Sequence, residues 1–218
     1  MAKAKPFIKW VGGKSQLIEQ LDAQLPADFG NWENVTYIEP FVGGGAMLFY
    51  MLQRYPNIQH AIINDINPDL ATCYRTVRDT PEQLIESLRD IENAYLAIET
   101  EDGRKDFFMA ARERYNEKNL DPIENSTKFF FLNRTCFNGL YRVNKKGFFN
   151  VPFGKYSNPT ICDPETIRKD SELLQCVEIL NSDFEATFEH AHGDTLFYFD
   201  PPYRPLSDTS SFNDYSKE

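Results

Sequence analysis

The stretch with the most specific chemistry in this 218-residue chain is Asp200-Pro201-Pro202-Tyr203, which follows the apolar run "TLFYF". Two consecutive prolines have fixed φ and no amide hydrogen, so the turn is stiff and its carbonyls meet no competing local donor. Asp200 and the Pro201 carbonyl can then accept both hydrogens of one exocyclic amino group, while Tyr203 offers a ring face for stacking. Holding both hydrogens concentrates electron density on a nitrogen whose lone pair is otherwise delocalised into a heteroaromatic ring. This is chemistry that makes a base amine nucleophilic.

Other acids stand at the ends of β-rich or apolar runs: Glu39 in "VTYIE", Asp65 in "IIND" and Asp183 in "ILNSDF". In an open parallel sheet, the ligand crevice lies outside the carboxyl ends of the strands, so these side chains converge there. Gly43-Gly44-Gly45 follows the first strand and lets the backbone approach a ligand at a helix start. It is not the G-x-G-x-x-G dinucleotide fingerprint. Asp65 suits the two hydroxyls of a ribose, and equally suits the cap of the next helix. "KWVGGKS" at residues 9–15 imitates the closing half of a phosphate-binding loop, but Ile8 stands where its first glycine belongs. A triphosphatase is therefore a poor reading, and Trp10 and Lys14 need another role.

The elements that must position these residues read as α/β. The glycine pair predicts a helix of about three turns ending near Pro26. A strand at 35–38, a helix from Ala46, a strand at 61–65 and a helix over "NPDLATCYRTVRD" follow with short loops, the pattern of a parallel, doubly wound sheet. Residues of about 80 to 160 interrupt it with three helical patterns and then alternating stretches around Asn138-Gly139 and Lys146-Gly147, which predict β-hairpins. A helix from Asp163 and strands at 177–180 and 195–200 resume the α/β pattern. Phe129, Phe130 and Phe131 are expected in the core.

The net charge of −10 is unevenly spread. No acid occurs from Ser126 to Cys162, where Lys128, Arg134, Arg142, Lys145, Lys146 and Lys155 lie, nor in residues 1–18, which hold Lys3, Lys5, Lys9 and Lys14. An acidic body with two basic regions fits a soluble nucleic-acid binder. Cys73, Cys136, Cys162 and Cys176 lack metal-site spacing and read as reduced thiols. Without a signal sequence or an apolar run of about 20 residues, the chain is expected in the cytoplasm.

Six stretches in order, "FIKWVGGK", "IEPFVGGGA", "NDIN", "LNRTCFNGLYRVNKKGFFNVPFGKY", "NSDF" and "DPPYRPLS", carry a resemblance over essentially the whole chain. The sequence resembles the Dam-type adenine-N6 DNA methyltransferases, S-adenosylmethionine (SAM) enzymes of which many act on GATC. The resemblance implies a Rossmann-like methyltransferase sheet formed by 1–79 and 163–218. It implies an inserted helical and β-hairpin target-recognition domain at 80–162, and further strands beyond the end of this chain. Trp10, Lys14, Glu39, Phe41, Gly43, Gly45, Asp65, Asp183, Phe184 and Asp200 would form the SAM site. Asp200, Pro201 and Tyr203 would act on an adenine rotated out of duplex DNA, a step costing a few kcal/mol. Phe137 and Asn138 would fill the space it leaves. Leu140, Arg142 and Pro152 match positions that read base edges, with arginine suited to guanine. Arg134, Lys145, Lys146 and Lys155 would contact phosphates or simply solvate the surface. No metal is implied, and a monomer is expected. Rival substrates are cytosine N4, an RNA base and a protein glutamine. A non-catalytic DNA-binding protein is the alternative outside enzymes.

Overall fold

A computed structural model of the chain describes residues 3–10, 12, 14 and 16–202. At its centre is a parallel sheet of four strands: β1 (Val35–Glu39), β2 (Ile58–Asn64), β3 (Val177–Leu180) and β4 (Thr195–Phe197), in the order β3-β2-β1-β4. Tyr37 pairs with Ala61 on one side and Leu196 on the other, and Ile63 pairs with Ile179. Tyr37, Ile38, Ala61, Ile62 and Ile63 are fully buried, so the central strands are covered on both faces. The strand order reverses between β1 and β4, which opens a crevice at their carboxyl ends. Four strands in parallel with helices α1 to α7 make the expected α/β, Rossmann-like architecture.

Helix boundaries follow a shared local grammar, an Asn or Asp cap followed by proline. Asn67 accepts from the amides of Asp69 and Leu70 to start α3 (Pro68–Asp79), Asp121 starts α6 (Pro122–Thr135), and Asp163 starts α7 (Pro164–Leu174). Each cap satisfies amides left without an intrahelical partner, and proline at the first position forfeits nothing. Between them lie α2 (Ala46–Arg54), α4 (Pro81–Leu96) and α5 (Glu101–Asn116). The predicted three-turn helix after the glycine pair is much shorter: α1 spans only Ile18–Asp22 and has no buried residue. With its apolar face only partly covered, by Leu21 packed on the core, a helix of that length has little to hold further turns.

Segment 80–162 contributes no strand to the described sheet. Its helices pack directly on the α/β part, α6 against α3 and α4 against α7. Phe130 stacks on Phe7 with centroids 5.3 Å apart, and Phe129, Phe130 and Phe131 are buried as expected. The N-terminal strap, residues 4–9, ties the two parts together. Gln53 of α2 bonds both the amide (3.1 Å) and the carbonyl (3.0 Å) of Ala4, and Arg134 of α6 donates to the Phe7 carbonyl at 2.7 Å.

The hairpin expectation is half met. Asn138 and Gly139 both have positive φ, 54° and 63°, as a tight two-residue turn requires. Beyond the bond of the Leu140 amide to the Phe137 carbonyl at 3.3 Å their flanks form no ladder, because Cys136 instead bridges Phe153, and the Phe137 amide donates to the Pro152 carbonyl at 2.8 Å. The actual hairpin is at Lys146-Gly147, where Val143 bridges Phe149. The cysteines are free thiols.

Candidate active site

Glu39, Asp65, Asp183 and Asp200 all follow the carboxyl ends of the four strands, so the sheet places them along one edge. Glu39 is nearly fully buried and accepts the Tyr37 hydroxyl at 2.9 Å. Burial pushes its carboxyl up to about 8, against the Tyr37 bond, and the negative charge of Asp200 adds to the rise. Glu39 is therefore largely protonated at neutral pH and becomes an acceptor for a cation only by giving up that proton.

The glycine turn is shaped by close approach on two sides. A β-carbon on Gly43 would lie 2.7 Å from Trp10 Cδ1, and one on Gly44 2.9 Å from Trp10 Cβ, so the Trp10 side chain packs closely on bare backbone. Gly45 has φ +72° and a β-carbon there would overlap the Tyr74 hydroxyl, which donates to the Gly43 carbonyl at 3.0 Å. Asp65 accepts the Gly43 amide at 3.1 Å and the Asn67 amide at 2.9 Å, one on each oxygen. It thus holds the turn and still keeps a lone pair on each oxygen for a diol. Burial raises its carboxyl, and the two amides pull it back.

Lys14 brings the N-terminal piece to the same edge. Its Nζ lies 2.8 Å from both Asp200 oxygens and 3.1 Å from the Gly12 carbonyl. Phe41 and Phe184 form a tilted pair with centroids 5.3 Å apart, a wall for a flat ring. Asp183 reaches the edge but uses Oδ1 on the Glu185 amide at 3.1 Å, capping the turn that carries Phe184. Pro201 is described and exposed; Tyr203 lies outside the described residues. Together these groups present a diol acceptor, an aromatic wall, a bare glycine turn and a paired carboxylate, which fit a nucleoside-bearing cation. Among the described residues no cluster of acids, histidines and cysteines could hold a metal ion.

Two edge residues escaped the sequence reading. Ile66 is 53% exposed directly after Asp65, and an exposed apolar residue behind a strand-end acid is the signal that could have found it. Asn64, buried, donates to the carbonyls of Pro40 and Ser182, both at 3.1 Å, stapling the loops after β1 and β3 to β2.

The basic segment lies apart from this edge but touches it. Tyr141 stacks on Trp10 at 5.4 Å and on Phe129 at 5.2 Å. Asp69 of α3, also missed, accepts from Tyr115 (2.6 Å), Lys118 (2.8 Å) and Asn125 (3.1 Å), with the Tyr141 hydroxyl at 3.4 Å. Burial opposes the charge on Asp69, yet the Lys118 and Tyr115 bonds outweigh it and lower its pKa. Phe137 and Asn138 are exposed on one turn, with Leu140 half-buried beside it, and exposed Pro152 lies on the neighbouring stretch whose carbonyl accepts the Phe137 amide. Arg142 donates across the hairpin to Asn150 Oδ1 at 2.7 Å, and Lys145 and Lys146 are exposed at its tip. Arg134 is mostly buried and bonded to the strap; with Lys9 and Tyr156 it lines a cavity of about 360 Å³. Lys155 pairs with Glu101 at 2.6 Å. No helix among the described residues is long and apolar enough to cross a membrane.

A family model described as D12 class N6 adenine-specific DNA methyltransferase matches residues 10–218. The chain is 46% identical over 217 residues to the type II methyltransferase M.MjaIII of Methanocaldococcus jannaschii, covering 99% of this chain and 74% of that protein. It is 35% identical over 217 residues to a DNA adenine methylase of Vibrio cholerae, covering 99% and 71%. With the DNA adenine methylase of Escherichia coli K12 it is 32% identical over 216 residues, covering 99% and 70%.

Proposed function

Because the chain belongs to the D12 class of N6 adenine-specific DNA methyltransferases, we propose that its carboxyl edge holds SAM and that residues 136–153 seat GATC-containing duplex DNA. In this reading 1–79 with 163–218 carry the chemistry and 80–162 reads the target. The observation that carries the proposal is the ion pair of Lys14 with Asp200 beside the Trp10-covered glycine turn, which joins a strand-end acid to the pocket wall.

SAM supplies an electrophilic methyl group on a sulfonium. Asp65 takes the ribose hydroxyls on its remaining lone pairs, Phe41, Phe184 and Ile66 enclose the adenine ring, and Trp10 and the glycine turn line the methionine end. Lys14 neutralises Asp200 before a base arrives. Asp200 and the Pro201 carbonyl then accept the two amino hydrogens of the extruded adenine and aim its nitrogen at the methyl carbon. That alignment makes the encounter effectively unimolecular and supplies much of the acceleration. The amine can lose its proton after transfer, so no strong general base is needed. Phe137, 53% exposed, and Asn138 occupy the gap in the stack, Leu140, Arg142 and Pro152 meet base edges, and Lys145, Lys146 and Arg134 meet phosphates. One chain supplies both halves of the site, so a monomer working in the cytoplasm suffices.

The test is transfer of labelled methyl from SAM to three duplexes: one with GATC, one with that adenine already methylated, and one with the four bases permuted. Label in the first alone, undiminished by a chelator, is expected. Label in cytosine or in glutamine peptides alone sinks the proposal.

A further inference from the structure

The N-terminal strap and the exposed Phe137–Gly139 turn meet on a single side chain, Asn133 in the last turn of α6, which is 2% exposed. Its Oδ1 accepts the Lys9 amide at 2.8 Å, and its Nδ2 donates to the Lys9 carbonyl at 2.8 Å and the Gly139 carbonyl at 3.0 Å. Both amide hydrogens are thus spent on backbone, one on each of two segments far apart in sequence. Lys9 immediately precedes Trp10, whose indole covers Gly43 and Gly44. Gly139 immediately follows Phe137 and Asn138. The contact has no slack: Gly139 has φ +63°, and a β-carbon there would overlap Lys9 Cδ. Neither segment can shift without straining a buried hydrogen bond or moving the other.

We propose that Asn133 is a positioning residue that couples the cofactor pocket to the turn that enters DNA. When Phe137 and Asn138 move into the space left by a base, the Gly139 carbonyl carries the displacement through the Asn133 amide to Lys9. From there it reaches Trp10 on the glycine turn. Asn133 touches neither ligand and acts only through these backbone groups. The coupling is reciprocal: DNA raises cofactor affinity by the factor by which cofactor raises DNA affinity. This inference rests on the assignment of the two sites proposed above.

The experiment uses the full chain as wild type, Asn133→Asp, Asn133→Ala and Ser126→Ala. Asn133→Asp keeps the shape but sets an oxygen against two carbonyls. Ser126 is the control, because its hydroxyl makes another buried bond from the same helix, to Thr76 Oγ1 at 2.9 Å. Affinity for S-adenosylhomocysteine is measured with and without a GATC duplex carrying 2-aminopurine at the target adenine, whose fluorescence rises as the base leaves the stack. Wild type and Ser126→Ala are expected to bind the probe at least about 5-fold tighter with DNA. Both Asn133 variants are expected to fall to within about 2-fold of no coupling and to lose the fluorescence rise, while each ligand alone still binds. An Asn133 variant that keeps the coupling of Ser126→Ala overturns the proposal, as does a wild type that binds both ligands independently. A wild type that binds neither ligand instead overturns the site assignment. Hydrogen exchange on the wild-type chain needs no variant: duplex alone should alter exchange at the Lys9 and Trp10 amides, and unaltered exchange there overturns the coupling.

Discussion

The carboxyl edge of the sheet and the segment 136–153 are held in place by different means. Glu39, Asp65 and Asp200 follow strands locked in parallel register, so their positions are inherited from a continuous backbone ladder. Segment 136–153 has only two isolated bridges, at Cys136–Phe153 and Val143–Phe149. Its shape comes from a few separate backbone bonds, such as the Asn150 amide to the Arg142 carbonyl at 3.1 Å, and from side-chain amides: Asn116 accepts the Phe149 amide at 2.8 Å and donates to its carbonyl at 3.0 Å, and Asn144 accepts the amides of Lys146 and Phe148. A ladder averages a local insult over many bonds, whereas a scaffold of single amides yields one contact at a time. Substitutions at the edge should therefore remove chemistry outright, and those in the segment should grade affinity and choice of site.

The sharpest separation of the two regions is Asp200→Ala. It is expected to lower the transfer rate by about a thousand-fold or more, the scale of losing a preorganised group at the reacting centre. DNA affinity by gel shift should remain within a few fold. Undiminished turnover would remove Asp200 from its role and erase the contrast. Gly45→Ala tests the turn, where a residue with φ +72° meets the Tyr74 hydroxyl. Strain of about 1–3 kcal/mol is expected, seen as a lower melting temperature together with weaker cofactor binding. Arg142→Ala acts on the other region. It should relax discrimination at one base pair by about 1–3 kcal/mol while leaving the rate on the best site nearly intact, read from transfer to single-substitution duplexes.

A smaller effect separates the buried frame of the edge from the exposed segment by pH. Asp170 in α7 is fully buried, and burial pushes its carboxyl up to about 8 although Oδ1 accepts the Lys5 amide at 3.1 Å. Its folded pKa lies above the unfolded one, so between about pH 4 and about pH 8 the folded state keeps a proton that the unfolded chain has released. Stability contributed by this group is full below that window, falls as pH rises through it and levels off above. Asp170→Asn should flatten part of this slope, raising the melting temperature at pH 8 but not at pH 4, by about 2–4 °C per kcal/mol relieved. Glu39, also pushed up to about 8, leaves a residual slope of the same sign. The smallest change is expected at the hairpin tip: Lys145→Ala and Lys146→Ala should each reduce the salt dependence of DNA binding by about one phosphate contact, uniformly across sequences.

Much of the edge was legible because its signals are local. An acid after an apolar run, three glycines before a helix and Asp-Pro or Asn-Pro at a helix start each reflect constraints within a few residues. Strands β1 to β4 and helices α2, α3 and α7 followed from them, and helices α4 to α6 from helical patterns in residues 81–99, 104–118 and 127–137. The signals failed where the deciding partner is remote. Helix α1 has good periodicity in Leu17, Ile18, Leu21 and Leu25, but its face is only partly covered, with Leu21 and Leu25 against the core and Leu17 41% exposed. Asn138-Gly139 formed the turn its residues favour, yet Cys136 chose Phe153 over a nearer partner. Asn64, Asp69 and Asn133 look like ordinary polar residues in sequence, because their roles lie in carbonyls and hydroxyls from other elements.

By itself, then, the sequence determined the strand-end acids, the stiff Asp-Pro-Pro turn, the glycine approach and the separation of an acidic body from a basic segment. Residue type and short spacing suffice for those. Only the tertiary structure decided that Lys14 meets Asp200, that Trp10 lies on the glycine turn and under Tyr141, and that one amide of α6 joins the strap to the Phe137–Gly139 turn. Each of these pairs residues distant along the chain, and only packing around the sheet brings them within hydrogen-bonding or stacking distance.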